Sequence, residues 1–104
     1  MSGNGNDKLR TALGFAMKAG KVRSGEFAAE KAIKGGKARV LAVDSGASEQ
    51  SKKHWSDMCR SKGVPMIEME DVGRAIGRDT HMVACVVDSG FAEMMLRGRT
   101  ENEL

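Results

Sequence analysis

The feature that most constrains this fold is an unbroken apolar run from Met82 to Val87, Met-Val-Ala-Cys-Val-Val. A strand with one wet face alternates apolar and polar residues, whereas a run without alternation is typical of a central strand covered on both faces. Such a strand needs neighbouring strands beside it and helices above and below it. The run therefore predicts a layered α/β domain.

The rest of the chain supplies the elements of that domain. Extended segments at 21–24, 39–43 and 64–67 alternate with helical patterns, most of which end at a glycine. Ser89 is predicted to cap the last helix and Gly98 to end it. We predict a single three-layer α/β/α sandwich with a four-stranded sheet over residues 7–98, between a flexible leader (1–6) and a polar tail (99–104).

Several function classes are disfavoured by the sequence. No apolar stretch is long enough for a membrane span or a signal peptide, which favours a cytoplasmic location. Cys59 and Cys85 lie far apart and are predicted to be buried, reduced thiols. His54 and His81 have no partner at metal-ligand or catalytic spacing. We therefore expect no enzymatic activity, no cofactor, no metal and no small-molecule substrate.

The distribution of charge is more informative than the formal net charge of +3. Between Lys8 and Arg39 there are nine basic and two acidic side chains, a net of +7, so the rest of the chain sums to −4. This asymmetry is typical of a nucleic-acid-binding face. A solvated basic surface is the alternative interpretation.

A short segment within the basic region carries the strongest candidate site. A predicted strand ending at Arg23 and Ser24 leads into Gly25, at the start of a helix that bears Lys31 and Lys34. Free N–H groups and the helix dipole favour phosphate at such a position. The lysines could equally form a solvated stripe. Phe27 could stack on a base or pack in the core, and the core is favoured.

The type of nucleic acid follows from what the elements lack. The strands carry no aromatic residues for base stacking on a sheet. The second helix offers Ala and Lys rather than the Arg, Asn or Gln typical of a DNA-recognition helix. Recognition of RNA by its shape fits better.

The sequence resembles the kink-turn-binding ribosomal-protein family named for large-subunit ribosomal protein L-seven-Ae, and is most similar to its small bacterial paralogues of the YlxQ type. The resemblance runs from about Leu9 to Phe91. It rests on the order and spacing of five segments: Leu13–Lys21, Ser24–Glu26, Lys31–Ile33, Val64-Pro65 and Gly73–Gly77.

The resemblance implies a four-stranded mixed sheet and binding to kink-turns, which are sharply bent RNA helices with tandem sheared G·A pairs beside a bulge. It places 25–31 in the RNA groove, Lys31 on a phosphate, 44–50 beside the pocket for a flipped-out base, and 77–82 over that base. The candidate RNA-contacting residues are Arg23, Ser24, Gly25, Glu26, Phe27, Lys31, Lys34, Asp44, Gly77, Arg78, Thr80 and His81.

The chain departs from the family at the positions whose side chains contact the RNA bases. Strong binders carry Gly-x-Asn-Glu, where this chain has Gly25-Glu26-Phe27-Ala28, and its variable loop is more polar. The loss of such contacts predicts altered specificity and salt-dependent affinity. We expect a cytoplasmic, monomeric RNA-binding protein acting on ribosomal or other translation-related RNA. The alternative is a protein-interaction module that kept the fold and lost RNA recognition.

Overall fold

The computed structural model describes residues 4–103, with side chains described from 7 to 98. The predicted leader and tail therefore lie outside the described side chains and stay predictions. Within the described range the chain forms five helices and four strands. These are α1 (Asn4–Lys18), β1 (Val22–Ser24), α2 (Glu26–Lys34), β2 (Val40–Asp44), α3 (Glu49–Lys62), β3 (Met66–Met69), α4 (Val72–Ile76), β4 (Val83–Val86) and α5 (Ser89–Glu103).

The four strands form one mixed sheet in the order β1-β4-β2-β3. Strand β4 pairs antiparallel with both β1 and β2, and β2 pairs parallel with β3. All four residues of β4 are buried. The apolar run is therefore a central strand, as its composition predicts.

Helices cover both faces of the sheet, which confirms the three-layer α/β/α sandwich. Along β2 the side chains alternate between the two layers. Val40 and Ala42 pack with residues of α1, α4 and α5, including Leu13 and Met95. Leu41 and Val43 face the opposite side and pack with residues of α2 and α3, including Ile33, Trp55 and Cys59.

Strand β3 begins two residues later than predicted. The N–H of Val64 donates to the carbonyl of Cys59 and so closes the end of α3. Pro65 has no N–H to donate, and only its carbonyl joins the sheet by accepting from Leu41. Pairing along β3 therefore starts at Met66, opposite Leu41.

Both predictions for the ends of α5 are wrong. The carboxylate of Asp88, rather than Ser89, accepts from the N–H of Phe91 at the helix start. Gly98 does not end the helix, which continues to Glu103. A Cβ at Gly98 would lie 3.6 Å from Leu9 Cδ2 and from Lys8 Cβ, so the glycine lets α5 run close to α1.

Candidate nucleic-acid interface

The sheet register brings three connections together at one end of the molecule. Ser24 at the end of β1 pairs with Ala84 near the start of β4, and Val43 near the end of β2 pairs with Val83. The start of α2, the β2–α3 loop and the loop that precedes β4 therefore meet at this end. These are the three segments that the resemblance assigns to RNA.

The start of α2 depends on Gly25. Its φ of 86° and ψ of 163° lie in a region that is essentially restricted to glycine. Its N–H donates to the carbonyl of Val83 at 3.0 Å, which ties the helix start to β4. No side chain caps α2, so the N–H groups of its first turn remain available to an anion.

His81 connects the loop before β4 to that helix start. Its Nδ1 lies 3.1 Å from Ser24 Oγ, at hydrogen-bonding distance. The ring also packs on Gly25, where a Cβ would lie 3.3 Å from His81 Cε1. His81 therefore fixes the loop relative to α2, a role that its position in the sequence does not reveal.

The loop itself rests on Gly73 in α4. A Cβ there would collide with the carbonyl oxygen of Arg78 and lie 2.8 Å from that of His81. Gly77 ends α4 with a left-handed φ of 72° and lets the chain turn into the loop. Arg78 and Thr80 are exposed on the loop. The close packing on Gly73 gives this loop a defined position.

Asp44 is engaged within the protein. One carboxylate oxygen, Oδ1, accepts from the N–H of Gly46 at 2.8 Å, and the other, Oδ2, accepts from the N–H of Val72 at 3.0 Å. Asp71, at the N-cap of α4, makes no capping bond through its side chain, so Asp44 serves the start of α4 instead. Asp44 joins the β2–α3 loop to α4, and its contact with RNA stays a prediction.

Two recesses flank the start of α2. The smaller one, hereafter the small cavity, has a volume of about 150 Å³ and lies between α2, the β2–α3 loop and the start of β4. Its lining contains only Glu26 of the predicted site residues. The lining residues are Glu26, Gly46, Ala47, Ser48, Ser51, Trp55, Met82 and Val83.

The larger recess, hereafter the basic groove, lies on the other flank of α2 and has a volume of about 460 Å³. It is lined by Arg23, Phe27, Ala28, Lys31, Ala32, Gly35, Lys37 and Val87. Three of these residues, Arg23, Phe27 and Lys31, are predicted site residues, and Ala28 lies in the predicted segment 25–31. Four others were missed: Ala32, Gly35, Lys37 and Val87. Lys37 follows the Gly35-Gly36 turn and Val87 follows β4. The N–H of Arg39, which donates to the carbonyl of Val86, joins these two segments, and the periodicity of the sequence does not specify this contact.

The two lysines of α2 are not equivalent. Lys34 Nζ lies 2.9 Å from Glu30 Oε2, and the hydrogen bond and charge of Lys34 lower the pKa of Glu30. Lys31 is exposed, has no ion-pair partner among the residues with described side chains, and lines the basic groove. Lys31 is therefore the better placed of the two to contact a phosphate.

The expectation that Phe27 packs in the core is wrong. Its side chain is 85% exposed. The inner side of α2 is filled by Ala29, Ala32 and Ile33, which places Phe27 on the outer face of the first turn. An exposed aromatic ring at a helix start is available for contact with a ligand.

The described residues offer little for catalysis. Cys59 and Cys85 are free and buried, as predicted, and burial raises their pKa values to about 11 and about 12. These thiols are protonated at neutral pH and poor nucleophiles. Among the described residues there is no cluster of His, Cys, Asp and Glu that could hold a metal ion, and no helix there could span a membrane.

Comparison with known proteins identifies the family of this chain. Residues 7–95 match the model of the ribosomal protein L7Ae/L30e/S12e/Gadd45 family. The chain belongs to this family. It is 34% identical to a Bacillus subtilis protein named RNA-binding protein YlxQ, over 81% of this chain and 87% of the relative. An Enterococcus faecium protein of the same name is 31% identical over 89% and 92%. The resemblance to YlxQ-type members is thereby confirmed.

Solved structures show the same fold. A Bacillus halodurans protein of unknown function superposes with a TM-score of 0.81 at 30% identity, covering 88% of this chain and 95% of that one. A Giardia lamblia 15.5kD RNA binding protein superposes with a TM-score of 0.74, covering 92% and 85%. Its identity is 19%, so this second likeness concerns the fold alone.

Proposed function

We propose that this protein binds structured RNA through the start of α2 and the loop at 78–81. The family and the names of the two curated relatives support RNA binding, and they agree with the prediction that the chain is not an enzyme. The finer part of the proposal is that the target is a kink-turn-like bend in ribosomal or other translation-related RNA. A cytoplasmic location and a monomeric state, both predicted from the sequence, belong to the same proposal.

The observation that supports this best is the convergence of three connections around an uncapped helix start. The uncapped first turn of α2 offers N–H groups to a phosphate, and Lys31 adds a positive charge further along the helix. The small cavity beside Glu26 lies between the same three connections. It is the place where an extrahelical base next to the bend would be held.

The residues at the helix start also determine what kind of affinity to expect. Phe27 and Ala28 cannot make the polar base contacts that the resemblance associates with Asn and Glu at these positions. Backbone N–H groups and lysines then supply most of the binding, so affinity depends on phosphate neutralisation and falls as salt rises. Shape, rather than base identity, is the main property that this surface recognises.

The test compares a kink-turn RNA with an RNA of equal length whose tandem G·A pairs are replaced by Watson–Crick pairs. Fluorescence anisotropy at fixed salt gives both dissociation constants. We expect the kink-turn to bind roughly tenfold more tightly, about 1.4 kcal/mol, because the Watson–Crick control lacks the bend whose shape this surface contacts. Equal affinities would remove the kink-turn part of the proposal and leave general RNA binding.

A second candidate function is suggested by the exposure of Phe27. An exposed aromatic ring is also typical of a surface that contacts a protein, in which case the chain kept the fold and lost RNA recognition. Two results together would favour this function: the purified protein retains no cellular RNA, and Phe27→Ala releases a bound protein partner. If the purified protein retains RNA, and Phe27→Ala releases no protein partner, RNA binding is favoured instead.

A further inference from the structure

The basic groove has properties that kink-turn binding does not require. It lies on the flank of α2 opposite the small cavity, and four of its lining residues are apolar: Phe27, Ala28, Ala32 and Val87. Three others are basic: Arg23, Lys31 and Lys37. None of the described residues that line it is acidic. Its volume of about 460 Å³ lies within the range of small-ligand sites, roughly 300–1,000 Å³.

The three basic residues that line the groove are available to an anion. Arg23 is held in place because its Nη1 donates to the carbonyls of Gly20 and Val22, at 3.1 and 3.2 Å. Its Nε and Nη2 remain for a ligand, since a guanidinium carries five N–H donors. Lys31 and Lys37 are exposed, and neither has an ion-pair partner among the residues with described side chains.

An exposed aromatic ring beside a positively charged groove is the combination found where proteins hold unpaired nucleotides. The ring stacks on a base of any identity while the basic side chains contact the sugar-phosphate backbone. Lys31 also belongs to the surface proposed for the bent RNA. A strand leaving that RNA would therefore enter the groove without a break in its phosphate contacts.

An extended peptide fits this groove less well. A peptide binding beside α2 would gain most by pairing with β1, which is the edge strand of the sheet. The carbonyl of Val22 on β1 already accepts from Arg23, so a pairing strand would have to displace this guanidinium. The side chain of Arg23 thus protects the sheet edge and faces the groove at the same time.

We propose that the basic groove binds an unpaired nucleotide flanking the bent RNA, with its base stacked on Phe27 and its phosphates contacted by Arg23, Lys31 and Lys37. This inference rests on the proposed function, because the bent RNA positions the flanking strand. The protein would then recognise a junction between a bent duplex and a single strand, rather than the bend alone.

The test uses two kink-turn RNAs that differ only at a stem end, one blunt and one with a short single-stranded uridine extension. For each protein variant the measured quantity is the ratio of the two dissociation constants. Taking this ratio cancels any effect of a substitution on the kink-turn itself. We expect the wild-type protein to bind the extended RNA roughly fivefold or more tightly, the lower end of base–aromatic stacking.

Three substitutions separate the contributions. Phe27→Leu keeps an apolar side chain and removes the aromatic face, so it should lower the ratio the most, to the part that the phosphate contacts supply. Lys37→Gln removes one phosphate contact and should lower the ratio partly, with a weaker salt dependence. Lys62→Gln, at the end of α3, is the matched control and should leave the ratio unchanged. A 4-thiouridine in the extension should crosslink to the peptide that contains Phe27.

The outcomes distinguish the two proposals. A kink-turn preference with a ratio of one in the wild-type protein and no crosslink in the groove would overturn this inference and leave the proposed function intact. Equal binding of the kink-turn and its Watson–Crick control would instead defeat the kink-turn part of the proposed function. Tight binding of a synthetic peptide of alternating Glu and Leu, lost in Phe27→Leu, would assign the groove to an acidic protein and also overturn the inference.

Discussion

The two recesses beside α2 are built in different ways. The small cavity is formed by backbone connections fixed by Gly73, Asp44 and His81, which are engaged in close packing or hydrogen bonds. The basic groove is formed by side chains that extend from α2, β1 and the turn after α2. Substitutions beside the cavity should therefore reduce the stability of the fold, whereas substitutions in the groove should reduce binding alone.

The largest effect is expected for Gly73→Ala. The added Cβ would meet three backbone carbonyls of the loop, which cannot move without displacing the whole loop. We expect a loss of about 3 kcal/mol in the free energy of unfolding, as for severe overpacking. Urea denaturation measures it. Gly77→Ala is the control, because it has the strain of a positive φ and no steric contact, and it should cost only about 1 kcal/mol. Equal losses would show that strain, not loop packing, dominates.

Asp44→Ala should have the next largest effect. It leaves the N–H groups of Gly46 and Val72 without their acceptor, and each such bond to a charged group contributes about 1.5–3 kcal/mol. Water at this half-buried site replaces part of the lost hydrogen bonding, so we expect the free energy of unfolding to fall by about 2 kcal/mol. Asp44→Asn keeps one acceptor oxygen and should cost less. If Asp44→Asn weakens RNA binding strongly while the protein stays stable, the carboxylate contacts RNA.

Gly25→Ala affects the element that both recesses share. A side chain at φ 86°, ψ 163° is strained by about 1–3 kcal/mol, and the new Cβ presses on the His81 ring. We expect lower stability and weaker RNA binding together. Adding His81→Ala to Gly25→Ala removes the ring contact and leaves the backbone strain. Because His81→Ala alone also loses the Ser24 contact, the double variant is compared with His81→Ala. Against that background Gly25→Ala should cost less stability than in the wild-type protein, and no cost would mean that the backbone strain is negligible.

The sequence predicts features that local patterns determine, and it does not predict contacts between segments that are distant in the chain. Apolar periodicity and the run at 82–87 were sufficient for the sheet, the three layers and the central strand, because burial of apolar surface sets those features. The resemblance brought 25–31, 44–50 and 77–82 to one end of the molecule. The contacts that fix them, such as His81 on Gly25, depend on tertiary packing between segments distant in the chain.

The errors have a similar cause. Phe27 was expected in the core because aromatic residues usually are buried, but α2 already fills its inner side with Ala29, Ala32 and Ile33. Gly98 was expected to end α5 because glycine is common after a helix. Its actual role is to allow contact with α1, a helix almost ninety residues earlier in the chain. Local propensity carries no information about such contacts.

The smallest effects should come from the lysines of α2, and here stability should not change. Lys31→Ala should weaken RNA binding several-fold and reduce the slope of log K against log salt by about 0.9, the value for one phosphate contact on a duplex. Lys34→Ala should change the affinity and the salt slope less than Lys31→Ala does, because Glu30 already neutralises Lys34. Anisotropy titrations over a range of salt measure both variants against the wild-type protein.

The pair of lysine variants is informative because the two residues lie one turn apart on one helix and differ in their partners. Glu30→Gln removes the neutralising charge, so it should make Lys34 available and raise RNA affinity slightly above that of the wild-type protein. In the Glu30→Gln background, Lys34→Ala should then cost more than it does alone. If Lys31→Ala and Lys34→Ala reduce the salt slope equally, the ion pair with Glu30 does not restrain Lys34, and the phosphate path extends along the whole of α2 rather than into the basic groove.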